Sequence, residues 1–401
     1  MSTKLVGPVH HSKALRTPAA SRFASHSQEG SSNRFIRSRK FTPELRADLN
    51  PALSGDFPQG LDWSRPFEEG LYSAPTQSFG YRELPTQPER ILDAPDILDD
   101  YYLNLLDWGS GNQLAVALRN TLYLWDANSG GVTQLLESPS LITSLAWAGD
   151  GKSLAVGDAN SCLTIYDAAT GHSTRSLLAH QDRVSSLAWN GSVLSSGSRD
   201  STIVQHDVRA DRYFVRLTGH EQEVCGLKWS LDGCQLASGG NDNRVCIWEM
   251  TSAVPRFSAT EHTAAVKALA WCPWKSNLLA SGGGTADRSI KLWNTTNSTC
   301  VHTVDTGSQV CALEWNRHDR ELLSAHGYSR NQLALWRYPD LAKVTELTGH
   351  SARVLFLAQN PEGSTVVSAG ADETLRFWKV FESSLKHGKG EKQQEVLFQF
   401  R

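Results

Sequence analysis

Residues 236–249 read Leu236-Ala237-Ser238-Gly239-Gly240-Asn241-Asp242-Asn243-Arg244-Val245-Cys246-Ile247-Trp248-Glu249. Two short runs of apolar and small residues flank an Asn-Asp-Asn turn, and the second run closes on an aromatic followed by a charged residue. Such runs broken by Gly, Asn and Asp predict two short strands joined by a tight turn. The closing pair returns as Trp125-Asp126, Tyr166-Asp167, His206-Asp207, Trp293-Asn294, Trp336-Arg337 and Trp378-Lys379, at spacings of 40 to 45 residues. Other landmarks keep phase with it. Ala179-His180, Gly219-His220, Glu261-His262 and Gly349-His350 recur ahead of the turns, and Asp200, Asp242, Asp287 and Asp372 stand six residues before the aromatic. Thirteen Trp against two Met fit one recurring aromatic slot.

This is the period of a WD40 blade, four antiparallel strands each. Seven periods end near Lys379, so an all-β, seven-bladed WD40 propeller is predicted over residues 90–382. A propeller must close its ring or leave two sheet edges unpaired. The stretch at residues 99–108 is predicted to complete the last blade as its outer strand, and runs such as Leu236–Gly240 to form inner strands. Residues 1–89 are rich in Ser, Pro, Gly and Arg and predict a disordered basic tail. A short helix over 43–49 is expected within it, with Thr42 as N-cap and Pro43 at its first position. Residues 383–401 form a second polar tail.

Residues 1–46 hold nine basic and two acidic side chains, so the remainder carries −10 of the chain's −3 total. An acidic body argues against nucleic-acid binding, which needs a basic surface. The seven Cys are scattered without a Cys-x-x-Cys pair, predicting neither a disulfide framework nor a metal site. No apolar run reaches 18 residues, so no membrane partner and an intracellular location are expected. No catalytic residue is assigned and no cofactor is expected. The His and Asp recur once per blade and are read as a structural hydrogen-bond network, since buried polar groups need partners. Gly282-Gly283-Gly284 lacks the Gly-Lys of a phosphate loop. The chain is therefore read as a non-enzymatic binding platform.

Further motifs carry a resemblance. Arg34-Phe35-Ile36-Arg37-Ser38-Arg39 lies in the basic tail, and Arg90-Ile91-Leu92-Asp93-Ala94-Pro95 and Asp100-Tyr101-Tyr102-Leu103-Asn104-Leu105 precede the first blade. Ala270-Trp271-Cys272-Pro273-Trp274, Gly327-Tyr328-Ser329-Arg330-Asn331-Gln332-Leu333 and Ala371-Asp372-Glu373-Thr374-Leu375-Arg376 lie within the blades, and the chain closes on Phe400-Arg401. Together these resemble the Fizzy and Fizzy-related family of WD40 co-activators of the anaphase-promoting complex, closer to the Fizzy branch. The resemblance implies a substrate-recognition and activating subunit of that ubiquitin ligase. Its implied partners are helical-repeat subunits of the ligase core, degron-bearing substrates such as cyclins and securin, and spindle-checkpoint proteins. Its implied location is nucleus and cytoplasm.

The resemblance also implies sites. Asp93 and Glu373 would hold the Arg of a destruction box, Arg-x-x-Leu, with Leu92, Tyr123, Trp125 and Val132 around its Leu. Arg90, Asn241, Asn243, Thr285, Gln309 and Arg353 would read a Lys-Glu-Asn degron. Arg34, Phe35, Ile36 and Arg39 match the ligase-docking C-box, and Phe400 and Arg401 its C-terminal signal. Thr17 and Thr42, each before Pro, are candidate proline-directed phosphorylation sites, where added charge would oppose the basic motif. Asn33 and Arg37 depart from the family's Asp and Pro, and Phe400 from its Ile. These departures leave two alternatives, a diverged non-activating relative and a general WD40 scaffold.

Overall fold

The computed structural model describes Arg82 and residues 84–210, 213–250, 252–328 and 330–381. All regular structure among them is strand: 28 strands form seven four-stranded antiparallel sheets. Six sheets are meanders of consecutive strands. The seventh joins Val354–Gln359, Val366–Gly370 and Thr374–Trp378 to Arg90–Asp93 from the other end of the propeller sequence. Innermost strands contact their neighbours around the whole ring, including Leu106–Trp108 of the first blade against Val354–Gln359 of the last.

The closing strand is therefore Arg90–Asp93, which pairs Arg90 with Phe377 and Asp93 with Thr374. Residues 99–108 do not fill that place. Leu106–Trp108 is the innermost strand of blade one, and Asn104 makes only an isolated bridge to Ser144. Gln235–Gly240 is likewise a second strand, lying outside the innermost Val224–Trp229. Propeller contacts also begin ahead of residue 90. Arg82 Nη2 lies 2.8 and 3.1 Å from the two Glu321 carboxylate oxygens, and Leu84 packs against a cluster containing Trp378 and Phe381.

The recurring landmarks form one hydrogen-bond chain in each of blades three, four, five and seven, whereas the Trp125 indole of blade one has no hydrogen-bond partner. In blade four the Trp248 indole donates to Ser238 Oγ at 2.7 Å, Ser238 lies 2.8 Å from His220 Nε2, and His220 Nδ1 lies 3.0 Å from Asp242. Trp293–Ser281–His262–Asp287 and Trp378–Ser368–His350–Asp372 repeat it. In blade three His206 replaces the Trp, 3.3 Å from Ser196. Burial opposes charge on the four Asp carboxylates, but their His partners and backbone N–H groups hold them below the usual range.

Blade six keeps the Trp–Ser–His part of the chain by moving the histidine, whose Nδ1 has no hydrogen-bond partner. Glycines pair with the first innermost residue in blades four, five and seven, as in Val224–Gly240. A Cβ on Gly240 would come 2.6 Å from the His220 ring. In blade six the equivalent partner of Val310 is His326, whose own ring reaches Ser324 at 2.7 Å while Trp336 donates to the same hydroxyl. The imidazole arrives from inside the sheet rather than from the preceding loop, so no glycine is needed.

Six innermost strands carry a bulge one residue after their start, leaving Thr143, Ser185, Cys225, Lys267, Cys311 and Leu355 outside the ladder. A bulged residue must find other partners. Thr143 and Ser144 both donate to the Val184 carbonyl at 2.6 Å, and Ser185 and Ser186 to that of Val224 at 3.0 and 2.7 Å. Cys225 Sγ lies 3.2 Å from the Val266 carbonyl. These three bulges thereby tie blades two, three and four each to the next.

Two outcomes follow for stability. Ser238→Ala strands the Trp248 donor and the His220 ring, and is expected to cost about 1–3 kcal/mol, read as a lower thermal-unfolding midpoint. Burial pushes His206 and His326 down to about 4. An unfolded histidine binds its proton near pH 6.5 (about its ordinary pKa). Between that pH and 4 the unfolded chain therefore binds more protons, and stability falls as pH drops, by on the order of 3 kcal/mol per histidine. His206→Gln is expected to make this acid loss shallower in melts recorded across the window.

Candidate peptide-binding sites on the propeller

After the closing strand the chain turns at Ala94–Ile97 and crosses the ring axis as an extended plug. The turn is held by the Ala94 N–H on the Glu373 carbonyl at 2.7 Å. Asn104 Nδ2 donates to the bulge carbonyls of Ser185 and Cys225 at 2.7 and 2.9 Å, and the Asn104 N–H to that of Thr143 at 3.1 Å. The Tyr101 hydroxyl sits 3.2 Å from the Ala265 and Val310 carbonyls, and burial pushes its pKa well up. Lys267 donates to the bulge carbonyl of Leu355 at 3.0 Å beneath it, with Nζ over the Phe356 ring at 4.2 Å, and burial lowers it to about 8. Arg183 grips Glu223 at 2.7 and 2.8 Å and Asp100 at 2.9 Å, fixing the plug to blades three and four.

On the plug face lies a cavity of about 560 Å³ lined by Asp99, Tyr102, Asn241, Thr285, Gln309 and Arg353, among others. It unites four of the six residues read as a Lys-Glu-Asn site. The Tyr102 hydroxyl donates to Asn241 Oδ1 at 2.8 Å, and Asn241 Nδ2 donates to Gln222 at 2.6 Å. Gln309 is 5 % exposed and its Oε1 has no hydrogen-bond partner. Asn243 shares the Asn241 turn but does not line the cavity, and its φ of 65° gives it a turn role.

Arg90 does not join this set. Antiparallel pairing puts it at the Phe377 end of the closing strand, three pairs (about 10 Å) from Thr374. There its guanidinium lies 5.4 Å over the Trp125 ring, beside Gly130. It belongs instead to the groove between blades seven and one. Leu92, two residues on, shares its face and packs on the cluster of Trp125, Leu375 and Phe377. Trp125 lies 4.7 Å from Phe377 and pairs across the ladder with Val132, which is 61 % exposed. Half-buried Tyr123 is two residues before Trp125 on the same face. At the plug-side end stand Asp93, opposite Thr374, and Glu373, in the turn before it. Both carboxylates are exposed. The groove thus has an acidic end and an apolar floor.

Sequence reasoning missed Asp99, Asp100 and Tyr102 as pocket residues. The Asp-Asp-Tyr-Tyr run was the available signal, but its alternation read as a strand. The C-box residues Arg34, Phe35, Ile36 and Arg39, the tail residues Phe400 and Arg401, Thr17, Thr42 and the helix over 43–49 lie outside the described residues.

These features define a WD40 propeller with a cavity on its plug face and an acidic-to-apolar surface between blades seven and one. A family model described as the CDC20/Fizzy WD40 domain matches residues 92–378, and the chain belongs to that family. It is 55 % identical over 76 % of its length to the anaphase-promoting complex subunit cdc20 of Dictyostelium discoideum, spanning 63 % of that protein. It is 53 % identical over 78 % of its length to cell division cycle 20.1, cofactor of APC complex, of Arabidopsis thaliana, spanning 70 % of it. It also resembles a chain in a crystal structure of the mitotic checkpoint complex, at TM-score 0.74 and 45 % identity, over 83 % of this chain and 100 % of that one.

Removing the plug's central donor tests its place in the fold. Asn104→Ala leaves two bulge carbonyls unpaired and is expected to cost about 1–3 kcal/mol for each that stays dry, seen in urea unfolding as a lower midpoint.

Proposed function

We propose that this chain is a substrate-recognition and activating subunit of the anaphase-promoting complex, without chemistry of its own. The single observation that carries this is the groove between blades seven and one, in a chain whose relatives are named as subunits or cofactors of that complex. Exposed Asp93 and Glu373 suit a guanidinium in charge-assisted bonds. Leu92, Tyr123, Trp125 and Val132 suit a leucine side chain, with Arg90 stacked at the lower end. A destruction box, Arg-x-x-Leu, supplies both groups. The plug-face cavity is the matching place for a Lys-Glu-Asn degron. Ubiquitin transfer then belongs to other subunits, and this chain contributes positioning.

Attachment to the ligase core rests on Arg34, Phe35, Ile36 and Arg39 and on Phe400 and Arg401. Two weak docking motifs on one chain reinforce each other through effective concentration. Substrates such as cyclins and securin and spindle-checkpoint proteins complete the partner set, in nucleus and cytoplasm. The departures at Asn33, Arg37 and Phe400 favour one second reading, a relative that binds degrons without activating the ligase.

Substrate ubiquitination by purified ligase core separates the two. Under the main reading the chain stimulates the reaction, and both Asp93→Ala/Glu373→Ala and Arg34→Ala abolish most of the stimulation. The double variant is expected to weaken an Arg-x-x-Leu peptide about tenfold or more (about 1.4 kcal/mol), while Arg34→Ala leaves peptide binding unchanged. Peptide binding without stimulation selects the second reading.

A further inference from the structure

The arginine that lines the plug-face cavity is already occupied by an acid of its own chain. Arg353 Nε donates to Asp99 Oδ1, and its Nη2 donates to the Asp99 backbone carbonyl at 2.9 Å. Its guanidinium also lies 5.4 Å over the Tyr328 ring. The two partners differ in how firmly they are held. The Arg353 side chain is 14 % exposed, whereas that of Asp99 is 48 % exposed. Asp99 is also the outermost plug residue, since Asp100 is fixed by Arg183 and Tyr101 is buried. The carboxylate can therefore leave while the carbonyl and the Tyr328 ring keep the guanidinium in position.

We propose that Asp99 is an intramolecular latch on this cavity, which an incoming peptide carboxylate must displace from Arg353. The inference rests on the reading of the cavity as a Lys-Glu-Asn site and adds its regulation. Gln309 also lines this cavity, and its Oε1, buried beside Gly327 without a hydrogen-bond partner, would accept an N–H from an occupant that reaches it. A ligand that carries a carboxylate beside an amide satisfies both groups, and adjacent Glu and Asn side chains do so. The latch lowers apparent affinity by the fraction of molecules in which Asp99 is displaced. It also raises selectivity, because a neutral side chain gains nothing that offsets the broken ion pair.

The test is fluorescence anisotropy with the full chain and two labelled peptides, one containing Lys-Glu-Asn and the other Lys-Gln-Asn. Wild type, Asp99→Asn and Asp99→Ala are compared, with thermal melts to confirm folding. The latch predicts that both variants bind the Glu peptide about three- to tenfold more tightly than wild type. It also predicts a smaller gain, or none, for the Gln peptide. Equal or weaker binding of the Glu peptide by both folded variants, with wild type binding it, overturns the latch and leaves the site reading intact. Absence of Glu-peptide binding by wild type and variants alike overturns the site reading and the latch with it. Equal gains for both peptides also overturn it, since they would mark general loosening of the plug.

Discussion

The fold depends on satisfying a ring of carbonyl oxygens around its axis. Bulges in six innermost strands release these groups from the sheets, and a buried unpaired carbonyl costs about as much as a lost hydrogen bond. Hydroxyls and a thiol from one blade serve the next on one side of the ring. On the other, Asn104, Tyr101 and Lys267 supply the donors. Two of these three belong to the plug. The plug is thus the donor strip that the bulged ring requires, and it covers one end of the axial space, where a cavity of about 240 Å³ remains between the seven innermost strands.

Much of this fold was legible because four blades repeat one hydrogen-bond chain and blade six keeps part of it. A Trp indole, a Ser hydroxyl, an imidazole and a carboxylate must keep fixed positions to meet, so their spacing survives in the sequence. Where the chemistry moved, the signal weakened: His326 occupies a position that holds glycine in three other blades, and no Gly-His marks blade six. The closing strand was misplaced for a related reason. Tyr101, Leu103 and Leu105 are buried while Tyr102 and Asn104 are only half-buried, a period-two pattern identical to that of a strand. The alternation arises from a core on one side and a polar rim on the other, and periodicity cannot distinguish that from a sheet. Arg90–Asp93, only four residues long, carries almost no pattern of its own.

The sites were legible in part for the same physical reason. Asn241, Thr285, Gln309 and Arg353 come from loops at the same end of successive blades, so blade phase alone brings them together. Arg90 departs because position along a strand decides which end of the propeller a side chain reaches. Its residue type suits an acidic ligand, yet antiparallel pairing with Phe377 sends it to the aromatic floor of the groove. The contribution of Asp99 was invisible from spacing, because it depends on a segment that crosses the axis rather than on any repeat.

Both clefts hang from one short stretch. Residues 90–93 form one wall of the groove, and residues 99–102 line the cavity, with the Ala94–Ile97 turn between them. Closing the ring and assembling the two clefts are therefore one structural event. Pairing Arg90–Asp93 with Thr374–Trp378 joins parts of the chain nearly 300 residues apart, and its loop-closure entropy is offset only once the blades between are formed. A propeller with an open seventh blade would lack the Leu92 wall and the carboxylate end of the groove. It would also release the plug, and with it the Asp99 that occupies Arg353. Binding competence is consequently coupled to closure: ligands that span the groove or contact the plug stabilise the closed ring by mass action, and damage to the seal is felt at the groove it walls and at the plug-face cavity beyond it.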